Sequence, residues 1–143
     1  MTVGILLKHK SGTLVTISPD VSLTDAIACL AKHRIGAVVA IDDTGHLAGI
    51  LSERDVVRIL AEKGLQVLNE PVSSVMTRTV VTCTADESIP TIMERMTNGR
   101  FRHVPVMKGD KILGIISIGD VVKHRVEEME RESAQLRDYI MSA

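Results

Sequence analysis

Gly49-Ile50-Leu51-Ser52-Glu53-Arg54-Asp55 and Gly114-Ile115-Ile116-Ser117-Ile118-Gly119-Asp120 are the two stretches that decide how this chain is organised. Each runs as an aliphatic strand into a hydroxyl, with a carboxylate three residues later at the head of a helical pattern. Each then continues with a Val-Val pair and a base, Val56-Val57-Arg58 and Val121-Val122-Lys123. Serine at a helix N-cap with an acid at N3 is first of all a capping box, a structural device, and Ser22-x-x-Asp25 is read as no more than that. Three features set the other two apart. A glycine stands three residues before each serine, where a backbone can be approached closely. The pattern recurs at equivalent places. Bases lie near, Arg54 and Arg58 in one and Lys123 and His124 in the other.

The whole chain is a tandem duplication. A shift of 66 carries Thr16-Ile17-Ser18-Pro19-Asp20-Val21-Ser22 onto Thr82-Cys83-Thr84-Ala85-Asp86-Glu87-Ser88, and Leu23, Ile27, Leu30, Ile35 and Val38 onto apolar partners. Past the turns at Asp42–Gly45 and Lys108–Asp110 the shift is 65, one residue being lost in a hairpin loop, where loss is tolerated. The first copy reads as a strand Thr13–Ile17, a helix from Ser22 to His33, strands Ala37–Ile41 and Leu47–Leu51, and a helix from Asp55 to Lys63 ended by Gly64. The linker Gln66–Ser74 contains Pro71, and its tail, Val72–Met76, reads as a short helix. The second copy repeats the order with a strand Thr79–Cys83, a helix Ser88–Asn98 and strands His103–Val106 and Ile112–Ile116. Pro90 falls in the helix's first turn, where its missing N–H matters little. The expected fold class is α+β, with two pseudo-symmetric β-α-β-β-α repeats packed sheet to sheet. Its parts are a first repeat over 1–64, a linker and lead-in over 65–77, a second repeat over 78–126 and a C-terminal helical extension over 127–143.

From Asp120 the helical pattern runs to about Met141. Val122, Val126, Met129, Ser133, Leu136 and Ile140 alternate by four and three, as a coiled-coil seam does, with Glu127 and Arg131 as an i,i+4 pair beside it.

Composition excludes several classes. With one Tyr, one Phe and no Trp, the core must be aliphatic, and stacking platforms for single-stranded nucleic acid are missing. A net charge of −1 gives no reason to expect nucleic acid or an anionic membrane as partner. Cys29 and Cys83 fall in apolar patterns and read as core, not as a disulfide scaffold or redox pair. The apolar run Val3–Leu7 is too short for a signal peptide, and no stretch approaches the roughly 20 apolar residues of a membrane span. A soluble, cytoplasmic protein is expected. His9, His33, His46, His103 and His124 include no pair at metal-ligand spacing, and no Ser-His-Asp set can be assembled, so neither a metal site nor an enzyme is expected.

The doubled motif suits a nucleoside phosphate. A carboxylate at a helix start can accept from both ribose hydroxyls, while a serine hydroxyl and free helix N–H groups can hold a phosphate. Adenine would lie in an aliphatic slot, no aromatic sandwich being at hand.

A duplicated strand-helix-strand-strand-helix unit with Gly-hydrophobic-x-Ser-x-x-Asp at its last strand-helix junction resembles a pair of CBS domains. Arg102-His103-Val104-Pro105-Val106 resembles that family's second strand, and Val75-Met76-Thr77 the segment leading into a repeat. The resemblance runs from about residue 10 to 126, and the chain looks like a free-standing CBS pair. It implies two clefts between the repeats and adenine-containing ligands such as AMP, ADP, ATP, NAD or S-adenosylmethionine, with no catalytic cofactor. Each cleft would take its ribose-binding Asp from one repeat and its base-side wall from the other. Carried over by position, the first cleft would use Ser52, Arg54 and Asp55, walled by Thr82, Cys83, Arg102 and His103. The second would use Ser117 and Asp120, walled by Thr16, Ile17, Ile35, Gly36 and Ala37. Arg102-His103 against Gly36-Ala37 makes the first cleft the more positive.

The function expected is that of a homodimeric regulator sensing an adenine nucleotide, AMP foremost with NAD and ATP behind it, and passing the result to an unidentified regulated protein. The alternative, from a different class, is a scaffold or interaction protein acting through its C-terminal helix, with vestigial clefts.

Overall fold

The computed structural model describes residues 1–10 and 12–142. Ser11, inside the first repeat, and Ala143, the last residue of the expected C-terminal extension, lie outside them. The order of elements is α1 (Val3–His9), β1 (Thr16–Ile17), α2 (Leu23–His33), β2 (Ala37–Ile41), β3 (Leu47–Ser52), α3 (Glu53–Lys63), 3₁₀ turns at Leu65–Asn69 and Val72–Ser74, α4 (Ile89–Gly99), β4 (His103–Lys108), β5 (Lys111–Ser117) and α5 (Ile118–Ser142). The fold is α+β with paired repeats and a long C-terminal helix, as the pattern predicts.

The two hairpins are copies down to their irregularities. β2 pairs antiparallel with β3 with a register shift at Ala40/Ile41, and β4 with β5 with one at Val106/Met107. The first strands are shorter than expected. β1 holds only Thr16 and Ile17, paired parallel with Val39 and Ala40. Its counterpart Thr79–Cys83 is reduced to one bridge, Cys83 to Val106, at the position equivalent to Ile17 and Ala40. The reason is Pro105: Cys83 N–H donates to its carbonyl at 3.0 Å, but the N–H that would bind the next carbonyl back does not exist.

Helix starts follow their caps. Ser22, Ser52 and Ser88 are the N-caps of α2, α3 and α4, each accepting from the backbone three residues on. α3 therefore begins at Glu53 and not Asp55, which sits at N3 as the acid of a complete capping box.

One element was not legible in the sequence. Met1–Lys10 carries a seven-residue helix, α1, capped by Thr2 and packed on the second repeat. Val3 and Leu6 are buried with Cys83, Ile89, Ile92 and Met96 in one core, while Val67, Val72 and Met76 of the linker fill the other with Leu23, Leu30 and Leu51. The backbone repeats the arrangement. Val72 N–H donates to Val21 O at 2.8 Å and Ser73 N–H to Pro19 O at 2.9 Å. In the second repeat Val3 N–H donates to Glu87 O at 2.9 Å and Gly4 N–H to Ala85 O at 2.8 Å. The start of the chain thus completes its later half.

Candidate functional site

Both Gly-x-x-Ser-x-x-Asp junctions fold as the same double hydrogen bond. Ser52 N–H donates to Asp55 Oδ2 at 2.9 Å and Asp55 N–H to Ser52 Oγ at 3.1 Å. Ser117 and Asp120 repeat the pair at the same two distances. Each junction is held to the opening strand of its hairpin: Glu53 N–H donates to Gly36 O at 2.9 Å, and Ile118 N–H to Arg102 O at 2.8 Å. The glycines are approached closely, but by the chain itself. A Cβ on Gly49 would stand 2.6 Å from Met76 Sδ and 2.7 Å from Thr77 O, and one on Gly114 3.0 Å from Leu7 Cδ2. They seat the two lead-in segments.

Two cavities open at these junctions. The first, about 430 Å³, lies among Ser52, Glu53, Arg54, Asp55 and Arg58 of the first repeat, Arg100, Phe101, Arg102 and His103 of the second, and Thr77, Thr79, Val80 and Val81 between them. Of the residues expected there, Ser52, Arg54, Asp55, Arg102 and His103 line it. Thr82 and Cys83 do not: Cys83 is core, and the wall comes from residues two and three positions earlier. Burial, followed by the charge of Glu87, pushes the Cys83 thiol up to about 11, so it stays a protonated core group. Asp55 accepts from Ser52 and lies 3.4 Å from Arg58 Nη2. Phe101, the one phenylalanine of the chain, gives this cavity an aromatic face that the composition did not promise.

The second cavity, about 610 Å³, is lined by Ile35, Gly36, Ala37 and Ser117 as expected, and by Lys10, Thr13, Leu14, Val15, His33, Arg34 and His103. Thr16 and Ile17 are not among its walls, since both are taken up in β1 and the residues just before them face the space. Asp120 lies beside it, covered by Lys10, whose Nζ donates to Asp120 Oδ2 at 2.9 Å and to Ile115 O at 2.7 Å. Burial alone would raise the Asp120 carboxyl, but the Lys10 ammonium and the Ser117 N–H outweigh it and hold it below the usual carboxylate range. The second cavity is therefore also cationic, through Lys10 and Arg34. The first cavity carries more cations, Arg54, Arg58, Arg100 and Arg102, but the second is not without them.

His103 lines both cavities. A Cβ on Gly36 would meet its Nε2 at 3.1 Å and Glu53 Oε1 at 3.4 Å, so the small residue opposite makes room for the imidazole. Burial, then the charge of Lys10, lowers its pKa, keeping the ring neutral at pH 7.

A further pair escaped the sequence reading. Arg34 and Arg100, equivalent by the shift of 66, end α2 and α4 in left-handed backbone with φ of 52° and 57°. Arg34 lines the second cavity and Arg100 the first. For a side chain with a Cβ this conformation costs on the order of 1–2 kcal/mol, and glycine is its usual occupant. The signal was an Arg where a helix end favours Gly, seen twice. Among the described residues no three His, Cys, Asp or Glu side chains stand together as metal ligands, and no helix is long and apolar enough to cross a membrane.

Comparison with known proteins agrees with the duplication. The CBS domain matches residues 11–62 and again 72–127. The CBS domain-containing protein CBSX3, mitochondrial, of Arabidopsis thaliana is 33% identical over 137 residues, 93% of this chain and 66% of that protein. This chain thus spans just under two thirds of that curated relative. Among solved structures, a CBS-domain-containing protein of Agrobacterium tumefaciens is 48% identical with a TM-score of 0.83, covering 87% of this chain and 92% of that one. The CBS domain pair of MJ0100, in complex with 5′-methylthioadenosine and S-adenosyl-L-methionine, is 25% identical with a TM-score of 0.79, covering 90% of this chain and 98% of that one.

Proposed function

Because the chain belongs to the CBS-domain family, we propose that it is a regulatory module that binds an adenine nucleotide between its repeats and reports occupancy by repacking a homodimer. The observation that carries this reading is one arrangement built twice: a Ser-Asp capping box at a cavity, faced by a left-handed arginine from the other repeat. In it Asp55 and Asp120 accept from ribose hydroxyls. Ser52, Arg54, Arg100, Arg102 and His103 serve the phosphate side of the first cleft; Ser117, Arg34 and Lys10 serve that of the second, with Ile35, Gly36 and Ala37 against the base. The adenosine-containing ligands of the MJ0100 pair support the ligand class. AMP is the ligand we favour, ahead of NAD and ATP, because the first cavity offers four guanidinium groups against two carboxylates.

Filling a cleft shifts the packing of the repeats only through unequal affinity for two arrangements, and the regulated protein then reads that shift. The module is a binder and not an enzyme, and its unpaired Cys29 and Cys83 suit a reducing cytoplasm. Titration calorimetry of nucleotide-free protein against AMP, ATP, NAD and S-adenosylmethionine tests this. Saturable heat with an adenine nucleotide is expected; no heat with any of the four contradicts it.

A further inference from the structure

We propose that α5 docks a second copy of this chain as a parallel, in-register, two-stranded coiled coil. This specifies the homodimer of the reading above and rests on it, but not on the nucleotide. α5 uses one face on its own protomer, where Val121 and His124 are buried. Its other apolar stripe, Val122, Val126, Met129, Leu136 and Ile140, is between 48% and 63% exposed. From Met129 to Ser142 every residue of the helix is exposed. Isolated helices shorter than about 12–15 residues are marginal in water, so this projecting length calls for a partner.

The spacing places Val126, Ser133 and Ile140 at one seam position and Val122, Met129 and Leu136 at the other. The residues flanking the seam then choose the partner and its direction. In a parallel pair Arg125 faces the partner's Glu130, and Glu132 faces the partner's Arg137, each contact occurring twice by symmetry. In an antiparallel pair of full overlap, Glu130 would meet the partner's Glu130, Glu132 the partner's Glu132, and Lys123 the partner's Arg137. All three contacts are repulsive. The charges therefore complement a second copy of this same helix, running the same way.

Analytical ultracentrifugation with oxidative crosslinking of the full chain tests this. A dimer is expected, with Ile140→Cys joining two chains through residue 140, over a wild-type control carrying Cys29 and Cys83. In the antiparallel pair the two copies of residue 140 would lie about 27 Å apart, and a mixture of Val122→Cys with Ile140→Cys would crosslink instead. Glu130→Arg should raise the dimer dissociation constant roughly tenfold, and Arg125→Glu added to it should restore it. Leu136→Glu, at an exposed position, should yield monomers that still bind AMP. A wild-type monomer at concentrations up to about 100 µM, or the mixed crosslink in place of the 140–140 crosslink, overturns the proposal. Failure here leaves the calorimetric test of the clefts standing, and failure of that test leaves this one standing.

Discussion

The ammonium of Lys10 stands 2.9 Å from a carboxylate oxygen of Asp120, the residue that duplication makes the equal of Asp55. Asp55 draws its cation from Arg58, one turn along its own helix. Asp120 draws its cation from the first ten residues of the chain, across 110 positions of sequence. Two carboxylates with one local geometry thus draw their cations from different places: Asp55 at 3.4 Å from its own helix, Asp120 at 2.9 Å from the other end of the chain.

Replacing Lys10 with Met should show this in two ways. Asp120 is held below its ordinary value of 3.8, so its contribution to stability is fully present above that value and is lost as pH falls through the lowered one. The variant should lose about 0.5–1 kcal/mol at neutral pH, the contact being partly exposed, and less than wild type as pH is lowered from 4. Adenosine, which has no phosphate to gain from the lysine, should bind the second cleft more tightly in the variant. Denaturant titrations across pH and calorimetry with adenosine check both.

The two motif glycines should differ in their tolerance of a methyl group. Gly49→Ala drives a Cβ into the backbone oxygen of Thr77 and the sulfur of Met76, whereas Gly114→Ala meets only a methyl of Leu7. Losses of about 2–3 kcal/mol and under about 1 kcal/mol are expected, from overpacking against backbone and against a movable side chain. Urea unfolding of the two variants measures the difference.

How much of this was written plainly in the sequence divides along one line. β2 and the capping boxes are local: an unbroken apolar run, a turn glycine and a Ser-x-x-Asp settle them within a dozen residues. The bounds of α2, α4 and both hairpins fall within two residues of the pattern for the same reason. α1 is seven residues long and makes sense only against Glu87 and Ala85, far along the chain, so no periodicity announced it; with it, Lys10 was missed. Thr82 and Cys83, like Thr16 and Ile17, match wall positions of the resembled family, yet in both repeats the residues just before them face the cavity, an offset that no local pattern encodes. Arg34 and Arg100 were visible as letters, but their left-handed backbone was not.

Arg100→Gly should separate stability from binding. Relief of the φ of 57° should stabilise the fold by about 0.5–1 kcal/mol net of the freer unfolded chain. Loss of a guanidinium from the first cavity should weaken AMP there while affecting adenosine far less. Thermal unfolding together with paired titrations reports both signs.

His103 gives a pH dependence of its own. Burial, then the charge of Lys10, lowers its pKa below the ordinary 6.5, so below that pH the unfolded chain binds a proton that the folded chain resists. Stability should fall as pH drops from about 6.5 through the lowered value, and His103→Gln should flatten that part of the profile. Stability curves between pH 7 and 4.5 for both proteins check it.

AMP calorimetry on Asp55→Ala and Asp120→Ala asks whether each carboxylate anchors a nucleotide at its own cleft. Two sites are expected in wild type and one in each variant. The affinity of the affected cleft should fall by at least tenfold to a hundredfold, as expected for lost hydrogen bonds to a charged group, and the other cleft should be unchanged. Two sites of wild-type affinity in both variants would contradict it.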